Sequence, residues 1–268
     1  MSLRKGKLSP LAAVGVLREL RHGAVQRGPL AIAGASELVP VLARELREGG
    51  EASAVVEDRL DGVAGLVWVG APDEARLREA AKRDIPIIAV TDAETVPYVL
   101  ATDTVHVPPG QGFPLEEIGS ALARRLGDAA IPLAARLPVL RKPVCDALVA
   151  RFSKRNAVIA AAVFIPGVDL PILTLNELRL VSRIALAHGA ELDGSRFPEL
   201  LGVVGAGFGF RAIARELLDA IPVAGWAVKA GVAYGGTRAI GEAAQRYFEV
   251  RSQLDEPLDM TPTDVIKP

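Results

Sequence analysis

The chain has 268 residues, of which 50% are hydrophobic and only 4% aromatic, and its formal net charge is -1. This charge balance argues against a nucleic-acid partner, which requires an excess of positive surface charge. The single cysteine, Cys145, excludes an intrachain disulfide and is typical of a reducing compartment, so we expect a cytoplasmic protein. The basic start, Met1–Lys7, is not followed by the pattern of a secretory signal.

Residues 1–28 predict a short amphipathic helix. Ser9 and Pro10 are suited to its cap and first turn, and Gly23 ends it. Its apolar face consists of Leu11, Val14, Leu17 and Leu20. Such a helix packs on a neighbouring domain or lies on a membrane surface, and the first arrangement is the more common one.

Residues 29–128 alternate between short apolar runs and helical patterns of about a dozen residues. Continuous apolar strands separated by helices predict a doubly wound parallel sheet, covered on both faces. The predicted strands are Leu30–Ala33, Ala52–Val56, Leu66–Val69, Ile85–Val90 and Thr104–Val107, and the helices are Glu37–Glu48, Asp73–Arg83 and Leu115–Leu126.

Ligands of doubly wound sheets bind beyond the carboxyl ends of the strands. The candidate residues there are Gly34, Ser36, Asp92, Gly110, Gln111 and Gly112. A phosphate loop is not among them, because no lysine and hydroxyl follow Gly34 at the required spacing, and Glu37 would repel a phosphate. Tight turns explain these glycines best. A site for a nucleotide or small anion is the alternative.

The sequence contains no recognisable catalytic constellation. His22, His106 and His188 are isolated, and none has a metal-ligand spacing, so we predict neither a metal site nor a cofactor. Asp146 follows Cys145 and should raise its pKa, which favours a buried thiol over a nucleophile. These observations favour a non-enzymatic protein.

Residues 129–155 form a predicted connector that three prolines divide, followed by a helix from Val144 to Ser153. Basic residues cluster near the ends of that helix: Arg141, Lys142, Arg151, Lys154 and Arg155. They would favour anionic lipid headgroups or solvate the helix ends, and both interpretations stay open.

Residues 156–250 predict an apolar all-α domain, followed by a disordered tail at 251–268. Two weakly charged runs, Asn156–Asn176 and Ala220–Thr237, each contain a proline bend and one charge, Asp169 or Lys229. A charge in mid-membrane costs about 2.5–3.5 kcal/mol, so a buried or peripheral domain is favoured over an integral hairpin. A further amphipathic helix is predicted at Arg238–Arg251.

The predicted structural or partner-contact residues of this half are prolines, glycines and the two charges. They are Pro166, Gly167, Asp169, Pro171, Pro222, Lys229, Gly231 and Gly235. Gly231 and Gly235 share a helix face with Ala227, so another backbone can approach closely, and self-association is possible. Asp169 is placed to cap a helix, and a sharper hypothesis pairs it with Lys229.

Several motifs of this half occur together and in order. They are Phe164–Pro171, Ala187–Gly189, Gly205–Gly209, Ile221–Gly225 and Gly236–Gly241. In them the chain resembles the YcjF-like domain of unknown function, which often follows an Era-like GTPase domain. The resemblance implies that the sheet is a degenerate GTPase-like domain and that the protein associates with the inner face of the cytoplasmic membrane. Thr91–Glu94 stands where a guanine-binding Asn-Lys-x-Asp motif would be expected.

The sequence as a whole predicts an α/β domain without a phosphate loop, joined to an apolar helical domain. We expect a non-enzymatic scaffold that binds a membrane lipid, a membrane protein or another partner. A GTPase-related protein that binds a nucleotide at the edge of the sheet is the competing hypothesis.

Overall fold

The computed structural model describes residues 28–108, 110–162, 169–190 and 225–254. The strands are β1 (Leu30–Gly34), β2 (Val55–Glu57), β3 (Gly65–Val69), β4 (Ile87–Thr91) and β5 (Thr104–His106). The helices are α1 (Val39–Arg47), α2 (Glu74–Lys82), α3 (Leu115–Leu126), α4 (Ala130–Arg136), α5 (Arg141–Ala162), α6 (Asp169–Ala187) and α7 (Gly225–Leu254). The predicted N-terminal helix, the bends at Pro166 and Pro222 and residues 255–268 of the predicted tail lie outside the described residues. The tail prediction was wrong for residues 251–254, which continue α7.

The five strands form one parallel sheet in the order β2-β1-β3-β4-β5, which confirms the mixed α/β fold. This order is one of the two common doubly wound arrangements, the flavodoxin-like one. Its direction reverses at β1, whose two neighbours are β2 and β3. The sequence located all five strands, although Ala52–Ala54 forms a 3₁₀ turn before β2.

Both faces of the sheet are buried, as continuous apolar strands require. One face carries Leu30, Ile32 and Val67, which pack with α1 and α3. The opposite face carries Ala31 and Trp68, which pack with α2. The exposed Asp73 caps α2, because its carboxylate accepts hydrogen bonds from the backbone N–H groups of Ala75 and Arg76 at 2.9 and 3.2 Å.

The segment predicted as a connector is helical and buried. α4 and a 3₁₀ turn at Pro138–Leu140 lead directly into α5, which runs unbroken for 22 residues. The expected boundary between residues 155 and 156 therefore falls inside α5. Pro143 does not interrupt the helix because it lies in the first turn, where a missing N–H is tolerated.

α7 is also longer than the sequence pattern indicates. It continues through Gly235 and Gly236 to Leu254, a length of 30 residues, whereas we expected a break after Thr237. Interior glycines cost about 1 kcal/mol each relative to alanine. Burial of Ala233, Ile240 and Phe248 offsets that cost, since these side chains pack against the other helices.

One hydrophobic cluster joins the sheet to the helices. It extends from Ile32 and Val67 through α3 and α4 to Leu148 in α5 and Phe248 in α7. Asp128 strengthens the junction, because Arg183 of α6 and Arg151 of α5 both form ion pairs with its carboxylate. The two halves are therefore held together by a continuous core.

Candidate functional site

The carboxyl edge of the sheet is closed at the point where the strand order reverses. Gly34 has φ of +132°, and a Cβ atom there would lie 2.0 Å from the carbonyl oxygen of Val69. The next backbone N–H, that of Ala35, donates a 2.8 Å hydrogen bond to the same oxygen. Gly34 thus permits close approach of the chain to β3. The N–H of Ala35 is engaged in a hydrogen bond and is not available to a ligand.

The other predicted residues of this edge are exposed, and carboxylates surround them. Ser36 donates a 3.1 Å hydrogen bond from Oγ to Oε2 of Glu37. Asp92 and Glu94 are exposed after β4, where Thr91 Oγ1 accepts a hydrogen bond from the Ala93 N–H at 3.1 Å. The structure therefore brings Gly34, Ser36 and Asp92 to one edge, as expected, but the local charge is negative.

The loop before α3 is open to solvent. Gly110 has φ of +79°, and the Gln111 N–H closes a turn on the carbonyl oxygen of Pro108 at 3.3 Å. No atom of the described residues comes within 4 Å of a Cβ placed at Gly110 or Gly112. The first turn of α3 contains two acidic residues, which complement the helix dipole and disfavour an anion at that position.

The predicted contact residues of the helical half are only partly described. Pro166, Gly167 and Pro222 lie outside the described residues, as do the side chains of Asp169 and Pro171, so the proposed pair with Lys229 stays a prediction. Gly231 and Gly235 are exposed, and no described atom would meet their Cβ atoms. Within the chain, the close helix contact occurs instead at Gly241, where a Cβ would lie 2.5 Å from Val149.

A buried polar cluster ties the three long helices together. Asn176 of α6 donates a 2.8 Å hydrogen bond to Asn156 of α5, and Asn156 donates one of 2.9 Å to Thr237 of α7. The Thr237 hydroxyl in turn donates to Glu177 at 3.3 Å. All four side chains are at most 2% exposed. Asn156, Asn176 and Thr237 border the apolar runs in the sequence, and this was the signal that could have revealed the cluster.

No family model, curated protein or solved structure matches this chain. The resemblance to the YcjF-like domain therefore stays a prediction. Among the helices that the structure describes, none combines the length and apolarity required to cross a bilayer. In the same part of the chain, no three His, Cys, Asp or Glu side chains are grouped closely enough to hold a metal ion.

Cys145 and His188, isolated in the sequence, line one cleft in the structure. Burial raises the pKa of the Cys145 thiol to about 12, and the neighbouring Asp146 adds to the shift. Burial lowers the pKa of His188 to about 4, and the positive charge of Arg141 acts in the same direction. The thiol is therefore protonated and the imidazole neutral at physiological pH.

Cys145 should be inert in the folded protein. We expect its reaction with an aromatic disulfide reagent at pH 8 to be roughly a thousandfold slower than in the protein unfolded by guanidinium, because the thiolate is the reactive species. The absorbance of the released thiol measures both rates. Comparable rates in the two states would show that the thiol is accessible and ionised.

Proposed function

We propose that the protein is a non-enzymatic scaffold that docks peripherally on an anionic membrane surface. The docking surface is the end of the helical bundle where α5 finishes and α6 begins. We call this surface the hairpin end, and its described residues are Val158, Ala162 and Ile172. In the sequence, residues 163–168 between the two helices contain no charged side chain, and the acidic Asp169 begins α6.

The apolar component of the hairpin end is exposed. Val158 near the end of α5 is 68% exposed, and Ile172 near the start of α6 is 44% exposed, although large aliphatic side chains are more often buried. Beneath them, Ala160, Leu173 and Ala233 form a separate small buried cluster, so all three helices support this end. Insertion of the exposed side chains between lipid headgroups would remove apolar area from water.

The observation that carries the proposal is the charge beside Val158. Lys154 and Arg155 lie four and three residues before it, on the same face of α5, and both are exposed. Neither forms an ion pair or hydrogen bond with any residue that the structure describes. Lys229 of α7, one turn before Ala233, adds a third positive charge at this end. Anionic headgroups are the natural counterions for such an arrangement.

The carboxyl edge of the sheet gives less support to the competing hypothesis of nucleotide binding. The exposed carboxylates of Glu37 and Asp92 would repel a polyphosphate, and the amide after Gly34 is engaged with β3. Several degrees of thermal stabilisation by one nucleotide, with Mg²⁺, would instead favour the competing function.

Vesicle flotation tests membrane docking. We expect the protein to bind vesicles containing phosphatidylglycerol more tightly than vesicles of phosphatidylcholine alone. The double variant Lys154→Gln/Arg155→Gln should bind the anionic vesicles about 30-fold more weakly, since each basic residue at such a surface contributes about 1 kcal/mol. Val158→Ser should weaken binding further by removing the inserted side chain.

The matched control is Arg76→Gln/Lys82→Gln, which removes the same charge from exposed positions on α2. It should bind vesicles like the wild type. Equal losses in both double variants would show that only net charge matters, and would contradict docking through the hairpin end. If the wild type does not float with anionic vesicles, the membrane is not the partner. We would then assign a protein partner to the hairpin end.

Self-association is a separate proposal, supported by the exposed face of α7. Gly231 and Gly235 leave room for a second helix to approach closely. Measurement of the mass in solution by light scattering tests it.

A further inference from the structure

A cleft separate from both surfaces lies between the sheet half and the helical bundle. Its volume is about 1020 Å³, the size of a large ligand pocket, and clefts at such junctions are common ligand sites. We call it the junction cleft. Gly49 follows α1 of the sheet half, and Pro138 lies in the 3₁₀ turn between α4 and α5. The remaining lining residues belong to α5, α7 and the segment after α6. They include Arg141, Lys142, Cys145, His188, Arg246 and Phe248.

One positive group of the junction cleft, the Arg246 guanidinium, is available to a ligand. Lys142 is paired with Asp146 of the same cleft at 3.0 Å, and Glu242 is paired with Arg238 at 2.7 Å. Arg246, by contrast, is exposed and forms no ion pair with a described residue. Arg141 and Arg251, which have other interactions, also line the cleft, as does the acidic Glu249. An anionic group is therefore the complementary ligand.

The inner wall of the cleft is flat and neutral. The His188 ring lies against Phe248 with the ring centroids 6.2 Å apart and the planes inclined by 30°. Nδ1 of His188 is buried and has no hydrogen-bond partner, and the Cys145 thiol beside this wall is protonated. Phe248 is only 3% exposed, so the ring of the half-buried His188 is the accessible aromatic surface. A neutral ring next to a guanidinium group suits a planar body, which can stack on both.

We propose that the junction cleft binds a small organic anion with a planar body, such as an aromatic carboxylate, sulfonate or phosphate ester. The anionic group meets Arg246, and the planar body lies along His188. This site is independent of membrane docking, because the hairpin end is formed by other residues.

The probe for this site is 8-anilinonaphthalene-1-sulfonate, a fluorescent aromatic sulfonate, titrated into the full-length protein. We expect saturable binding to the wild type. Arg246→Gln should weaken binding about tenfold, because it removes the charge that meets the sulfonate. Ser252→Trp should abolish binding by filling the cleft from α7 without changing any charge. Thermal unfolding midpoints would show that both variants remain folded.

Two controls distinguish the junction cleft from other binding of the probe. Arg76→Gln removes an exposed arginine from α2, and Val158→Ser reduces the apolar surface of the hairpin end; both should bind the probe like the wild type. The proposal is overturned if Arg246→Gln and Ser252→Trp bind the probe as tightly as the wild type. It is equally overturned if Val158→Ser alone loses binding, or if the wild type shows no saturation.

Discussion

Gly34→Ala should destabilise the protein by about 3–5 kcal/mol, because backbone strain and a steric clash occur at the same residue. The φ of +132° is one that an L side chain rarely adopts, and the new Cβ would lie 2.0 Å from the carbonyl oxygen of Val69. Relief requires β1 and β3 to separate at their carboxyl ends. Urea unfolding, followed by circular dichroism, measures the change in the free energy of unfolding.

Gly112→Ala is the matched control, because it makes the same chemical change at another predicted site glycine. Its Cβ would meet no described atom within 4 Å, so the free energy of unfolding should change by less than about 0.5 kcal/mol. Similar stabilities of the two variants would contradict the close approach of Gly34 to β3. Similar stabilities would also indicate that the loop at the carboxyl edge is open and that a ligand can enter it.

Thr237→Val should cost about 2–4 kcal/mol, because it removes the hydroxyl that takes part in two buried hydrogen bonds. Asn156 loses the acceptor of its 2.9 Å hydrogen bond, and Glu177 loses the hydroxyl that donates to it. The side-chain volume hardly changes, so the loss reports on the hydrogen bonds and not on packing. The free energy of unfolding in urea is again the measured quantity.

Thr237→Ser keeps the hydroxyl and should recover most of this loss. Thr95→Val makes the same exchange at an exposed threonine and should be nearly neutral. If Thr237→Val is as stable as Thr237→Ser, the polar cluster does not hold α5, α6 and α7 in register. The three helices would then be aligned by their apolar contacts alone.

The α/β half could be predicted closely from local patterns. β1 and β3 appear in the sequence as short apolar runs, because strands that are buried on both faces lack alternating polar residues. Helix α3 begins and ends where its amphipathic pattern does, at Leu115 and Leu126. The helical half was harder to predict, since α7 continues through glycines whose cost only packing offsets, and α5 runs across the predicted boundary at residues 155 and 156.

The candidate sites were predicted less completely than the fold. Gly34, Ser36 and Asp92 do meet at one edge, because the ends of parallel strands converge. Their roles differ from those of residues in a ligand-binding loop. Gly34 allows β1 to pack closely against β3, and the carboxylates of Glu37 and Asp92 remain exposed. Cys145 and His188 are 43 positions apart in the sequence, so no local spacing could indicate their shared cleft.

The sequence by itself determined the parallel sheet, the apolar helices and the missing phosphate-loop lysine, because each of these is encoded in residues that are neighbours in the chain. Only the tertiary structure decided that Arg246 faces a cleft beside His188, and that Val158 is exposed while Asn156 is buried. Those outcomes depend on which helix faces meet, and the helices are joined by long-range packing that no local pattern records.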